Sequence, residues 1–423
     1  MGYPVDFEKG ELNRGNWKRI KACMKKAEAG EPVKVGFLGG SITQGSLSST
    51  PETCYAYLVY KWWKEKFPQA QIEYINAGIG GTTSQFGVSR VEQHLLQKKP
   101  DFILIEFAVN DDNNEFFRET YEGLIRKTYG DASAPAVLLM NNVRYDNGIS
   151  AEDQHAAVAR AYQLPMVSMK STILPPVKSG QIKNREITPD DLHPNDDGHA
   201  LVAKVITTFL EKIYQDRNTK EKAPDFGGKT LPDPITANEY ENSVRYKNYN
   251  STPALNGFRK DPHKKKEFLD IFSGGFIASS VGDEISFDIE ATGIAIQYRK
   301  TIHRPTPVAE VVVDGDESTR TVLDGNFDED WGDCLFIQTI TRHTEFKKHH
   351  VQIRIIEAHE DDQVPFYLVS VIGSRGPAAE AGNDAQAQKK TKLTGAKDSR
   401  ERKEPGEKLF VKGKRSIMHT LLL

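Results

Sequence analysis

Two short stretches hold the residue types that acyl transfer needs: Gly39-Gly40-Ser41-Ile42-Thr43 and Asp190-Asp191-Leu192-His193-Pro194. A serine hydroxyl is a weak nucleophile until a base takes its proton, and His193 is the candidate base. Asp190, three residues earlier, can accept from one imidazole nitrogen in a tight loop. That contact fixes the tautomer, stabilises the imidazolium and leaves the other nitrogen for Ser41. Charge developing on a carbonyl oxygen also needs donors. The amide of Ser41, the backbone N–H of Gly81 in Gly80-Gly81-Thr82, and the carboxamide of Asn110 in Ala108-Val109-Asn110-Asp111 are the candidates.

Each stretch alone has a plainer reading. Gly39-Gly40-Ser41 could be a glycine turn with a capping serine. It lacks the Gly-x-x-x-x-Gly-Lys-[Ser/Thr] pattern of a phosphate loop and the Gly-x-Ser-x-Gly nucleophile elbow. His193 is one of 11 histidines, and Asn110, followed by Asp111 and Asp112, could be an ordinary turn residue. Asp191 is the alternative partner of His193, although its adjacent position suits a helix start or a solvent-facing role. His199 lies just inside the next helical pattern, where packing or surface exposure is expected. What lifts the set is its order and its relation to the strands.

Short apolar runs at 33–38, 72–79, 102–109, 136–143 and, more weakly, 165–169 alternate with helical segments such as 55–67 and 83–96. Leu201, Val202, Val205, Ile206, Phe209, Leu210 and Ile213 recur at helical spacing and form one apolar stripe. Alternating strands and helices predict an α/β parallel sheet covered on both faces, with a ligand beyond the carboxyl ends of its strands. Ser41, Gly81 and Asn110 follow three of those strands, so they share that edge.

The 423 residues predict more than one domain. Residues 1–214 carry the α/β pattern. Residues 215–245 are charged and then rich in proline and glycine, as a linker would be. Residues 246–375 read as short strands separated by turns, among them 284–289, 293–298, 309–315, 350–355 and 366–371, which predict an all-β jelly-roll sandwich. Residues 376–423 are polar and lysine-rich, and a disordered basic tail is expected.

A net charge of -3 gives no reason to expect a nucleic-acid partner, and no apolar run is long enough for a membrane span. The 3 cysteines, Cys23, Cys54 and Cys334, show neither metal-ligand spacing nor a disulfide framework. The amino terminus does not read as a secretory leader, so a cytoplasmic location is expected.

Taken together, the segments 39–43, 76–84, 108–111 and 190–194 resemble the four signature blocks of the SGNH hydrolases, also called the GDSL family. The resemblance spans about residues 33 to 213. It implies a flavodoxin-like sheet, Ser41 as nucleophile, His193 as base, Asp190 as its orienting acid, and an oxyanion hole of the Ser41 amide, Gly81 and Asn110. Two positions depart from the pattern: Gly40 stands where aspartate is usual, and Ala108 where glycine is usual. Neither carries a triad or oxyanion role.

An SGNH domain followed by a jelly roll resembles two-domain carbohydrate O-acetylesterases whose second domain is carbohydrate-binding-like. That implies a serine esterase removing acetyl from oligosaccharides, mannan- or xylan-derived fragments being the leading candidates, with no metal or cofactor. Trp331, in a polar loop of the second domain, could stack on a sugar ring or plug the end of the sandwich. A lipid or thioester hydrolase or an acyltransferase of the same family, and a non-catalytic glycan-binding protein, are the competing readings. A homo-oligomer is left open.

Overall fold

The structure, a computed structural model, describes residues 2–329 and 331–376. The expected tail from 377 onward lies outside the described residues.

In the first half, the strands are β1 (Glu11–Asn13), β2 (Val33–Gly39), β3 (Ile72–Gly78), β4 (Phe102–Glu106), β5 (Ala136–Asn141) and β6 (Met166–Ser168). The helices between and after them are α1 (Lys18–Glu28), α2 (Ser41–Gln44), α3 (Tyr55–Lys66), α4 (Ser84–His94), α5 (Glu115–Tyr129) and α6 (Glu152–Ala161). Then follow α7 (Leu174–Lys178), α8 (Asn184–Ile187) and α9 (Asp196–Gln215). The sheet order is β1-β6-β5-β4-β2-β3, with β2 to β6 parallel and β1 a short antiparallel edge. Among the parallel strands this is the flavodoxin order 2-1-3-4-5, whose switch point lies between β2 and β4.

Successive side chains of a strand point to opposite faces, which is why the apolar runs are continuous rather than alternating. Phe102 and Leu104 enter a core with Trp17, Met24, Trp63 and the α9 stripe, while Ile103 and Ile105 enter a second core with Val88, Leu124 and Ala159. The run at 102–109 is a strand only as far as Glu106. Beyond it the chain turns, with the amides of Asn110 and Asp111 both donating to the Phe107 carbonyl, at 3.1 and 3.0 Å.

Residues 216–243 carry no regular element, yet they are not free. The amides of Ile235 and Thr236 donate to the buried carboxylate of Glu122 on α5, and Arg126 pairs with Glu241 at 2.6 Å. Near their start, Lys21 of α1 pairs with Asp216 and Glu221.

The second half is all β: β7 (Val244–Tyr246), β8 (Ala254–Asn256), β9 (Arg259–Lys260), β10 (Phe276–Ala278), β11 (Glu284–Ala291) and β12 (Gly293–Lys300). They are followed by β13 (Val308–Val313), β14 (Asp316–Asp324), β15 (Cys334–Thr341), β16 (Lys347–Glu357) and β17 (Phe366–Ser374). These form two antiparallel sheets, β15-β12-β17-β10-β9 with β7 against β17, and β14-β13-β16-β11-β8. In the second sheet, β11 and β16 alternate between inward apolar and outward polar residues. In the first, β17 is buried along its whole length. The reason is the hydrolase half: Ile277, Leu335, Tyr367 and Val369 pack against Ile79 and Phe86.

Candidate active site

The first three candidates are carried to one edge by the sheet. Ser41 opens α2 directly after β2. It is held there by close backbone approach, since a Cβ on Gly78 would lie 2.2 Å from the Gln44 amide nitrogen. Gln44 in turn accepts from the Gly80 amide at 2.6 Å, tying α2 to the loop that presents Gly81. Gly81 has φ +64, a left-handed conformation that glycine adopts freely.

Ser41 Oγ lies 2.7 Å from His193 Nε2, and His193 Nδ1 lies 2.5 Å from Asp190 Oδ2. The other Asp190 oxygen accepts from the backbone amides of Leu192 and His193, at 3.1 and 2.7 Å. Partial burial works to raise the Asp190 carboxyl, but the hydrogen bonds from His193 and these amides outweigh it and hold the carboxyl below its usual value. The geometry can pass a proton from the serine to the imidazole and hold the imidazolium that results.

Asp191, the alternative partner, is turned away. It sits at φ +69 and pairs with Arg185 at 2.8 Å. Asn195 rather than either aspartate caps α9, accepting from the Gly198 amide at 3.0 Å. His199 is fully buried against Tyr55, accepting from the Tyr55 amide, with its other nitrogen 3.3 Å from the Ser46 carbonyl oxygen. Burial pushes this imidazole down to about 4. Its role is packing.

The Asn110 carboxamide explains the unusual Gly40. A Cβ at Gly40 would stand 2.3 Å from Asn110 Oδ1, so glycine makes room for the amide. Oδ1 is buried without a partner, and Nδ2 has no hydrogen bond among the described residues, which leaves a donor uncommitted. Trp331 reaches over from the sandwich, its Cη2 3.5 Å from where a Cβ on Gly81 would be. Its ring is edge-on to Phe327 at 5.0 Å and its Nε1 donates to Glu329. A cleft of about 570 Å³ continues from Gly81 between the two halves, past Phe116, Phe117, Gln338 and Arg342.

Three supporting groups were not singled out in the sequence. Asp111 accepts from the first amide of α4 at Ser84 and meets His155 Nε2 at 3.1 Å; the far nitrogen of His155 faces Asn141 Oδ1 at 3.2 Å, and its ring stacks on Tyr121. This buried network anchors the turn that carries Asn110. Arg90, wholly buried on α4, donates to the carbonyls of Ala77 and Gly39, bracing the ends of β3 and β2. Glu106 accepts from the Ala108 amide at 3.0 Å, and burial pushes its carboxyl up to about 7. A charge inside an apolar run is the one signal that could have flagged Glu106, whereas Arg90, between Ser89 and Val91 and followed by Glu92, carries no such signal.

Among the described residues, one group has donor atoms close enough for a metal: Glu119, Glu239 and His343, within 4.8 Å of one another. They pair across the junction of α5, the connecting segment and the β15–β16 turn, and none belongs to the serine cluster. No helix among the described residues is long and apolar enough to cross a membrane.

A serine, an imidazole and a carboxylate in hydrogen-bonded series at the switch point of a 2-1-3-4-5 sheet define a serine hydrolase class. Residues 37–201 match the GDSL-like lipase/acylhydrolase family, and the chain belongs to that family. It is a carboxylic ester hydrolase. The crystal structure of a two-domain esterase (CEX) active on acetylated mannans is 55% identical, with a TM-score of 0.85, over 88% of this chain and 99% of that one. A second crystal structure of such an esterase, co-crystallized with mannopentaose, matches equally well. Over 185 residues, thioesterase 1/protease 1/lysophospholipase L1 of Escherichia coli (strain K12) is 27% identical, covering 42% of this chain and 82% of that protein.

Proposed function

We propose that the protein removes O-acetyl groups from mannan-type oligosaccharides, with Ser41, His193 and Asp190 as the triad. Ser41 Oγ attacks the acetyl carbonyl as His193 Nε2 takes its proton. The Ser41 amide, the Gly81 amide and Asn110 Nδ2 receive the oxyanion. Collapse of the tetrahedral intermediate breaks the bond to the sugar oxygen, which leaves with the proton from His193. Water, deprotonated by the same nitrogen, then attacks the acetyl-serine and releases acetate.

The observation that carries the substrate is Trp331. The two-sheet sandwich brings an indole over Gly81, which lines a cleft of about 570 Å³ between the two halves. The 55% identity to an esterase active on acetylated mannans supports the same choice.

The test is acetate release from acetylated manno- and xylo-oligosaccharides, beside aryl esters of increasing acyl length. Acetyl should be the preferred acyl group. Trp331→Ala should raise KM for oligosaccharides about tenfold, a loss of about 1.4 kcal/mol, and leave aryl acetate nearly unaffected. A rate that peaks at octanoyl would favour the lipid or thioester reading. Glycan binding without acetate release would favour the non-catalytic one.

A further inference from the structure

We propose that a second cavity, between α4 and the sandwich, binds a small organic oxyanion, a phosphate or carboxylate on a compact frame. The cavity measures about 330 Å³ and is lined by Phe86 and His94 of α4, by Arg245 and Lys247, and by Lys265 at its open side. A buried cation without a counter-charge is costly, so buried arginines and lysines are normally paired. Here they are not. Arg245 and Lys247 are 9% and 7% exposed, and their hydrogen bonds go to neutral acceptors: Gln93 Oε1 at 2.9 Å and the Ser273 carbonyl at 2.6 Å. Among the described residues, no carboxylate stands within 4.0 Å of the charged nitrogens of Arg245, Lys247 or Lys265.

The nearby acids are committed elsewhere. Asp261, which lines the cavity, accepts from Tyr367 Oη at 2.5 Å and from the His263 amide at 2.9 Å. Asp270 accepts from the Lys266 amide at 3.0 Å and lies 2.7 Å from His263 Nε2. Burial first, then the charges of Arg245 and Lys265, push the Lys247 ammonium down to about 7. An arriving anion would relieve that repulsion.

Size and lining narrow the class. A water occupies about 30 Å³ of liquid, so the space exceeds what one inorganic phosphate fills. Phe86, Ile79 and Leu335 offer an apolar wall for the remainder of a ligand. The cations come from the strand entering the sandwich and from its β9–β10 loop, and the wall in part from α4, so the ligand would bridge the two halves.

Titration calorimetry on the full chain, with inorganic phosphate, mannose 6-phosphate, glucuronate and neutral mannose, tests the proposal. Mannose 6-phosphate or glucuronate should bind more tightly than inorganic phosphate and raise the melting temperature, and mannose should do neither; the preferred anion identifies the head group. Lys247→Met should weaken binding by about tenfold or more and leave the ligand-free protein at least as heat-stable as wild type. Lys265→Gln, at the open side, should weaken it several-fold without threatening the fold. Ser41→Ala should bind as wild type does, separating this cavity from the ester site. The proposal is overturned if no organic anion binds, if mannose binds equally well, or if both lysine variants bind undiminished.

Discussion

Among the described residues, the hydrolase half holds two aspartate–histidine pairs that differ in what surrounds them. Asp190 and His193 are 3 residues apart in a partly exposed loop, and the second imidazole nitrogen faces Ser41. Asp111 and His155 are 44 apart and fully enclosed, and the second nitrogen faces Asn141. One pair has a proton donor at its far end and room for a substrate. The other has an amide at that end and an aromatic ring across its face. On the proposed mechanism the same two side chains serve chemistry in one place and positioning in the other, and the neighbours of the second nitrogen set them apart.

Removing the reacting end should have the largest kinetic effect. Ser41→Ala and His193→Ala should each lower kcat by roughly 10⁴-fold or more, with unfolding free energy within about 0.5 kcal/mol of wild type. The enclosed pair should behave in the opposite way. His155→Ala leaves Asp111 buried without its partner and should cost about 3–5 kcal/mol in denaturant unfolding, while the molecules still folded lose far less kcat than Ser41→Ala does, and no more than the loss of Asn110 costs. A catalytic collapse at unchanged stability would erase the distinction between the pairs.

Asn110→Ala sharpens the link between them, because this side chain stands on the turn that the enclosed pair anchors. It should lower kcat about 10²–10³-fold with little change in KM, the signature of an interaction made in the transition state. An effect confined to KM would remove Asn110 from the oxyanion hole.

Glu106 is a buried acid with no imidazole at all, and the smallest effect is expected there. Its carboxyl holds a proton more tightly folded, at about 7, than unfolded, at 4.5. The folded state therefore binds more protons between those values, and this group's contribution to stability falls as pH rises through the window. Glu106→Gln keeps an acceptor for the Ala108 amide and removes the titration. It should be more stable than wild type at pH 8, by on the order of 2–3 kcal/mol, with the gain fading by pH 4.5. Denaturant curves at the two pH values check it.

The contrast also shows what a sequence can disclose. Asp190 and His193 were legible because their contact is local, and Ser41, Gly81 and Asn110 because each lies within a few residues of the carboxyl end of a strand that its apolar residues mark. The parallel sheet followed from the same runs. Asp111–His155 was not legible, since a contact across 44 positions needs the fold to bring α6 beside the turn after β4. Gly40 read as a departure from pattern, and only the place of the Asn110 carboxamide gives its reason. Residues 366–371 read as a strand whose near-continuous apolar run fits cover on both faces, but nothing local says that the hydrolase half supplies one of the covers. Likewise, proline and glycine in 215–245 marked irregular backbone but not the carboxylate of Glu122 that receives it.

The doubly covered sheet has a consequence for how this enzyme can be rearranged. A domain that alternates polar and apolar residues on every strand can be cut out and attached elsewhere with its surface intact. Here Ile277, Leu335, Tyr367 and Val369 form a greasy face whose lid is Ile79 and Phe86 of the hydrolase half. Excised, the sandwich would present that face to water and stick to itself. The second domain is therefore not an interchangeable module, and any transplant would first need that face rewritten in polar residues.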